Sequence, residues 1–186
     1  MVIEAELKAR VRDPEGVMRR LEGLVAGLAE VYQDTYYDTG AGDLEQSDRE
    51  LRVRTVHGPE ETRTVLTYKE ARVDEASGSK PEHETRVDDP DAVHATLRGL
   101  GYVAAIAFEK RCRNYHFEAR GRRMVATLVR VPELDGTFLE VETLTKDDDL
   151  QAALDDVRAL LTEMGINEGD LTTEQYTDAV RASRKS

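Results

Sequence analysis

Charged residues occupy every second position of the first twelve residues, and they are sorted by sign. Glu4 and Glu6 come first, and Lys8, Arg10 and Arg12 follow. Alternation with a period of two is typical of a β-strand with two unlike faces. Carboxylates bind divalent cations, and ammonium and guanidinium groups bind phosphate oxygens, so this order favours a metal ion held beside a phosphate. The alternative is an ordinary strand with one face in the core and the other in water.

The same alternation recurs in later segments, which we predict to be strands. The predicted strands span residues 1–12, 30–39, 51–56, 62–70, 82–87, 103–118, 123–131 and 137–144. Their charged faces carry Arg52 with Arg54, Lys69, Glu82 with Glu84 and Arg86, Arg111 with Arg113, and Glu140 with Glu142. Acidic and basic side chains therefore recur on one side of most strands.

Helices are predicted between these strands. Aspartate–proline pairs at 13–14 and 89–90 are typical helix starts, because aspartate caps the helix and proline fits its first position. A longer amphipathic helix is predicted over 147–164 and a short one over 173–180. We expect one domain over residues 1–180, followed by a frayed tail, 181–186.

The helices decide where the charged faces point. Three amphipathic helices need apolar sheet surface to pack on, so the charged strand faces should lie on the opposite side of the sheet. If the sheet closes, they line the interior of a barrel. Such an interior requires charges that are paired, hydrated or bound to a charged ligand, and its mixture of acids and arginines favours a polyphosphate with its metal. The alternative is an open sheet with cross-strand ion pairs on a wet face.

Composition excludes several classes of function. The 186 residues carry a net charge of −12, which disfavours nonspecific binding to nucleic acid or to an anionic membrane. The sequence has no apolar run long enough to span a membrane and no signal-peptide pattern, so we expect a cytoplasmic protein. The single cysteine, Cys112, excludes an internal disulfide. The acidic, lysine-poor composition suits a halophilic cytosol or, equally, an acidic protein from a high-GC genome.

Several segments together resemble one known family. Residues 4–8, EAELK, are similar to the E-x-E-x-K motif of CYTH domains, the triphosphate tunnel metalloenzymes. Further similar segments follow in the family's order, at residues 51–54, 66–69, 82–84, 110–115 and 138–142. The resemblance spans about residues 2–176, and residues 34–39 most resemble the class IV adenylyl cyclase branch.

The resemblance implies an α+β fold, namely an eight-stranded antiparallel β-barrel that forms the triphosphate tunnel, with flanking helices. It implies Mg²⁺ or Mn²⁺, a small-molecule triphosphate and a possible homodimer. The implied metal ligands are Glu4, Glu6, Glu140 and Glu142. The implied substrate-binding residues are Arg52, Arg54, Lys69, Lys110, Arg111 and Arg113. The implied catalytic residues are Lys8, which would also hold phosphate, Glu82 and Glu84.

Two positions depart from the family pattern. Val129 stands where the family has an aspartate before the final Glu-x-Glu, so one implied metal ligand is missing. In the family's Lys-x-Arg pair, Lys110 would be matched with Cys112, whereas Arg111 and Arg113 have the right spacing on the opposite face. We expect Arg111 and Arg113 to face the tunnel.

The resemblance leaves three functions open. The first is a class IV adenylyl cyclase that converts ATP to cAMP and pyrophosphate. The second is a triphosphatase that acts on thiamine triphosphate, inorganic triphosphate or a nucleotide. The third is a weakly active polyphosphate- or nucleotide-binding module, because Val129 replaces the family's acid.

Overall fold

The computed structural model describes residues 1–186 and contains eight strands, five α-helices and two 3₁₀ turns. The strands are β1 (Ile3–Val11), β2 (Leu28–Asp38), β3 (Glu50–His57), β4 (Thr62–Lys69), β5 (Lys80–Val87), β6 (Val103–Ala119), β7 (Arg122–Arg130) and β8 (Thr137–Thr145). The helices are α1 (Pro14–Glu22), α2 (Asp43–Gln46), α3 (Pro90–Gly99), α4 (Leu150–Glu163) and α5 (Tyr176–Lys185). The 3₁₀ turns are Asp147–Asp149 and Glu168–Asp170. None of the helices has the length and apolar character that crossing a bilayer requires.

The strands form a closed ring of antiparallel pairs in the order β1-β5-β4-β3-β2-β6-β7-β8. The predicted α+β fold, an eight-stranded ring with flanking helices, is confirmed. The seam between β1 and β5 is short, with Ile3 opposite Pro81 and Glu4 opposite Lys80.

The chain's C-terminal part pairs with β1 beyond that seam. Ala9 forms an isolated bridge with Leu171, and the Thr172 N–H donates to the Lys8 carbonyl over 2.9 Å. Residues near the C-terminus therefore complete one wall of the ring.

The apolar strand faces point away from the ring's interior and are covered by helices. In β1 the buried residues alternate at Ile3, Ala5, Leu7 and Ala9. They join a core cluster with the apolar stripe of α4, whose buried members are Leu150, Ala153, Leu154, Val157, Leu160 and Leu161. The helices therefore pack on the apolar faces as expected, and the charged faces are left inside.

Both predicted helix starts are confirmed by their caps. The Asp13 carboxylate accepts a hydrogen bond from the Gly16 N–H at 3.0 Å, and the Asp89 carboxylate accepts one from the Ala92 N–H at 3.0 Å. Each satisfies a backbone donor that the first helical turn leaves free.

The C-terminal residues differ from the prediction. Instead of a short helix and a frayed tail over 181–186, α5 continues to Lys185. Val180 is fully buried, and the Arg184 guanidinium donates to the Glu133 carboxylate at 2.7 Å and to the Ala107 carbonyl at 2.7 Å. These contacts fix the end of the helix on the ring. The assignment of residues 1–180 to one domain stays a prediction.

Candidate functional site

A polar cavity of about 280 Å³ occupies the interior of the ring, close to the lower end of the range of about 300–1,000 Å³ that is usual for small-ligand sites. Only six of its thirty lining residues are hydrophobic. Its acidic lining residues are Glu4, Glu6, Glu30, Glu50, Glu82, Glu84, Glu140 and Glu142, and its basic ones are Lys8, Arg52, Arg54, Arg63, Lys69, Arg72 and Lys110. The structure therefore brings together every predicted site residue except Arg111 and Arg113.

Three carboxylates converge on one point in this cavity. Glu4, Glu6 and Glu142 each place an oxygen within 4.8 Å of the others. Burial, followed by repulsion from neighbouring carboxylates, raises the pKa of Glu6 to about 7 and the pKa of Glu142 well above its usual value. Burial acts on Glu4 in the same direction, but contact with Lys69 outweighs it and lowers the pKa of Glu4. Hard oxygen donors with unrelieved negative charge fit a divalent cation such as Mg²⁺.

The burial of Glu6 and its repulsion by neighbouring carboxylates predict that the stability of the metal-free protein depends on pH. The folded state keeps the Glu6 proton up to about pH 7, whereas the unfolded chain releases it near 4.5. The contribution to stability is complete below pH 4.5 and is lost as the pH rises through 7. Compared with Glu6→Gln, the wild type should lose on the order of 2 kcal/mol of unfolding free energy between pH 5 and 8.

Urea unfolding in EDTA at several pH values measures this difference. Addition of Mg²⁺ or Mn²⁺ should reduce the loss in the wild type, because the cation replaces the protons. If the free energy of unfolding of the wild type rises relative to that of Glu6→Gln as the pH rises, the raised pKa of Glu6 is contradicted.

Glu140 was predicted as a fourth metal ligand, and the structure does not place it in this cluster. It lies opposite Lys8 in the β1–β8 register. Although burial opposes the effect, the charges of Lys110 and Lys8 lower the pKa of Glu140. Its position fits a counterion for two lysines better than a metal ligand.

Arg54 is inside the ring but is already paired. Its guanidinium forms a two-pronged ion pair with Asp34, with Nε to Oδ1 at 2.7 Å and Nη2 to Oδ2 at 2.8 Å. Asp34 lies directly opposite Arg54 on β2, and the Lys110 Nζ is 3.9 Å from the same carboxylate. Asp34 was missed as a site residue, although its position in the strand next to β3 is the signal that could have identified it.

Arg52, by contrast, keeps an unpartnered donor. The residue is 7% exposed, and its Nε has no hydrogen-bond partner. Its other contacts are long, at 3.4 Å from Nη2 to the Thr67 hydroxyl and 3.7 Å from Nη1 to the Glu50 carboxylate. A buried donor without an acceptor is costly, and an anion in the cavity would remove that cost.

The prediction that Arg111 and Arg113 face the interior is wrong. Lys110 is 5% exposed and lines the cavity, so strand alternation turns the two arginines outward. Arg111 pairs with Glu109 at 3.1 Å, and Arg113 pairs with Glu22 of α1 at 2.6 Å. Among Lys110, Arg111 and Arg113, only the lysine therefore lines the cavity.

The predicted catalytic residues all line the cavity. The Lys8 ammonium donates to the Glu174 carbonyl. Glu82 lies 3.1 Å from the Lys69 ammonium, and Glu84 accepts a hydrogen bond from the Thr67 hydroxyl at 2.9 Å. Glu82 therefore contacts a cation of the cavity lining, whereas Glu84 is held by the buried Thr67.

Sequence reasoning also missed a polar network at one end of the ring. Glu30 is 3% exposed and accepts hydrogen bonds from Arg63 at 2.7 Å and from the Asn114 amide at 2.6 Å. The same amide donates to the Tyr32 hydroxyl at 2.7 Å. Because side chains alternate between the two faces of β2 and β6, this alternation could have placed Glu30 and Asn114 on the inner face.

Val129 lies in an apolar cluster and not with the carboxylates. The buried members of this cluster are Tyr36, Ile106, Phe108, Cys112, Val129, Val131, Phe138, Tyr176 and Val180. Val129 is opposite Cys112 and Phe138, whereas the β7 residue opposite Glu142 is Val125. The three-carboxylate cluster therefore forms without an acid at position 129.

Val129→Asp should destabilise the protein by about 3 kcal/mol and should not raise turnover, because it buries an unpaired carboxylate among apolar side chains. Thermal unfolding and a turnover assay test both expectations. Val129→Thr, similar in size and uncharged, is the matched control and should lose less stability. A Val129→Asp variant that is as stable as the wild type and faster would show that the acid is missing from a metal site.

A ring of eight antiparallel strands around a charged interior defines a class of tunnel-shaped barrels. The chain matches the CYTH domain over residues 2–176, and it belongs to the CYTH domain family. The CYTH superfamily is in general metal-dependent, and the cluster of Glu4, Glu6 and Glu142 is the acidic group that this chain contributes.

Three relatives illustrate the likeness. A Methanocaldococcus jannaschii protein named "putative adenylate cyclase" is 24% identical over 180 residues, which are 95% of this chain and 98% of that protein. The PH1819 protein from Pyrococcus horikoshii has a TM-score of 0.85 at 27% identity and covers 97% of this chain and 99% of its own. A Hippeastrum protein named "putative adenylyl cyclase", for which a dominant triphosphatase activity is stated, has a TM-score of 0.65 at 19% identity, over 98% of this chain and 96% of its own.

Proposed function

We propose that this protein is a metal-dependent enzyme that acts on a triphosphate inside the ring, with a class IV adenylyl cyclase reaction that converts ATP to cAMP and pyrophosphate. The observation that carries the proposal is the unpartnered Nε of Arg52, buried in the same cavity as the carboxylate cluster of Glu4, Glu6 and Glu142. A buried donor without an acceptor and a cluster of mutually repelling carboxylates are both satisfied by a metal-bound polyphosphate.

The chain's residues take distinct roles in this proposal. Glu4, Glu6 and Glu142 would hold Mg²⁺ or Mn²⁺, which supplies charge neutralisation to the phosphates when bound. The donors to phosphate oxygens would be Lys8, Arg52, Lys69 and Lys110. Glu82 orients the Lys69 ammonium, and Glu140 balances the charge of Lys8 and Lys110.

In the cyclase reaction the ribose 3′ oxygen forms a bond to the α-phosphorus, and the bond from that phosphorus to the bridging oxygen breaks. Pyrophosphate leaves with the electron pair of that bond, and the proton of the 3′ hydroxyl passes to solvent. This displacement depends on in-line positioning and on charge stabilisation more than on covalent catalysis by the protein. A rigid ring with fixed cations supplies both.

The second candidate is a triphosphatase. It is favoured by the Hippeastrum neighbour, whose description reports a dominant triphosphatase activity. In that reaction water attacks the terminal phosphorus, the bond from that phosphorus to the bridging oxygen breaks, and the diphosphate leaves while orthophosphate forms. The same cations and carboxylates would then serve a different pose of the triphosphate. Thiamine triphosphate, inorganic triphosphate and nucleotides are its candidate substrates.

A substrate panel distinguishes these reactions. The protein is incubated with ATP, thiamine triphosphate or inorganic triphosphate in Mg²⁺ or Mn²⁺, and phosphorus NMR resolves the products. We expect cAMP and pyrophosphate from ATP, with no product in EDTA. Release of orthophosphate would assign a triphosphatase instead, and absence of turnover with every substrate would contradict both. We also propose a cytoplasmic location and no binding to nucleic acid or membranes. We further propose a homodimer, and light scattering, which measures the mass of the assembly, tests this.

A further inference from the structure

Tyr176, the first residue of α5, places an aromatic ring against the cations of the cavity. The residue is 7% exposed and belongs to the cavity lining. The Lys8 Nζ lies 4.2 Å from the ring centroid, and the Lys110 Nζ lies 4.3 Å from it. One ring therefore contacts both ammonium groups, at distances where a cation is attracted to an aromatic face.

The hydroxyl of Tyr176 is available to donate a hydrogen bond. It is buried and makes no hydrogen bond of good geometry with the protein; the Glu140 carboxylate lies beside it, and burial together with that charge raises the pKa of Tyr176. Buried tyrosine hydroxyls usually have a partner, so an unpartnered one that lines a polar cavity indicates a missing acceptor. An oxygen of a bound anion, held by the adjacent lysines, is the acceptor whose charge fits this position.

The aromatic ring of Tyr176 is held in place by apolar contacts and by the contacts that anchor α5. Its edge packs on Phe138 at a centroid distance of 5.3 Å and an interplanar angle of 88°. One turn along α5, Val180 is fully buried in the same apolar cluster. At the far end of the helix, Arg184 is bound to Glu133 at 2.7 Å. These contacts leave the ring little freedom to turn away from the cavity.

We propose that Tyr176 is a positioning residue for the triphosphate: its ring fixes the ammonium groups of Lys8 and Lys110, and its hydroxyl donates a hydrogen bond to a phosphoryl oxygen beside them. The inference rests on the proposed function, since it requires a phosphate chain in the cavity. It adds a donor from the C-terminal helix to a site otherwise built from strands.

The test measures the binding of inorganic triphosphate with Mg²⁺ by isothermal titration calorimetry in four proteins. Tyr176→Phe keeps the ring and removes the hydroxyl, so its Kd should rise about tenfold. Tyr176→Leu removes both, and its Kd should rise about tenfold further. Val180→Ala loosens the same helix and the same apolar cluster without touching the cavity, and its Kd should stay within about twofold of the wild type.

The outcomes separate the possible failures. If Tyr176→Phe binds triphosphate as the wild type does, the hydroxyl has no role, and the proposal is overturned. If Tyr176→Leu and Val180→Ala weaken binding equally, the ring acts only by supporting the helix, which also overturns it. A wild type that binds no triphosphate contradicts the proposed function and this inference together, whereas a wild type that binds, with unchanged variants, contradicts the inference alone.

Discussion

Glu142→Gln should lower the metal-dependent turnover of the triphosphate by at least about 100-fold. Loss of a residue that merely supports a metal ligand already costs about 10- to 100-fold, and Glu142 belongs to the carboxylate cluster itself. The amide keeps the size of the side chain but removes the negative charge that a hard divalent cation requires. The measurements are the turnover rate as a function of Mn²⁺ concentration and the Kd for Mn²⁺ by electron paramagnetic resonance.

The matched control is Glu15→Gln on α1, whose side chain is 84% exposed and does not line the cavity. It makes the same chemical change at the surface and should leave turnover and Mn²⁺ binding unchanged. If Glu142→Gln binds Mn²⁺ with wild-type affinity, the metal is held elsewhere and the assigned ligand set is incorrect.

Arg54→Met should reduce the free energy of unfolding by about 3–5 kcal/mol, whereas Arg52→Met should mainly weaken the binding of triphosphate. Arg54 is the two-pronged partner of Asp34, whose side chain is fully buried, so its loss leaves this carboxylate with only the Lys110 ammonium at 3.9 Å as a counterion. Arg52 has an unpartnered Nε and no close ion pair, so its loss should change stability by about 1 kcal/mol or less. Its loss should raise the Kd for inorganic triphosphate by about 100-fold.

Urea unfolding and calorimetric titration of the two variants check these contrasting effects. Combining Asp34→Asn with Arg54→Met should recover part of the lost stability, because it also removes the charge of the buried carboxylate. If Arg52→Met is the less stable variant and Arg54→Met the weaker binder, then the assignment of one arginine to structure and the other to ligand must be reversed.

The sequence allowed the ring and its inner face to be predicted wherever a strand alternates cleanly. In β1 apolar and charged residues alternate without interruption, so the inward position of Glu4, Glu6 and Lys8 followed from this periodicity together with the helices that require the apolar face. The helices that cover the outer face followed from their apolar stripe and from the aspartate–proline starts.

The remaining differences have two physical causes. β6 carries basic residues at consecutive positions, so both of its faces are charged, and only the three-dimensional register shows that Lys110 is inside. Asp34 pairs with Arg54 and Tyr176 contacts Lys8, residues that are distant in the chain, so the strand pairing and not the local sequence alone brings them together. The apolar surroundings of Val129 likewise come from β6, β8 and α5 together.

The pairing of the first strand has a consequence for the order of folding. β1 is bordered by β8 along its length, with Ile3 opposite Thr145 and Val11 opposite Thr137, and by Leu171 and Thr172 at its other edge. During synthesis β1 can therefore pair only along its short seam with β5 until β8 has left the ribosome. Contacts between distant parts of a chain slow folding, and unpaired strand edges invite aggregation, so we expect the nascent protein to depend on chaperones until β8 and Leu171 have emerged.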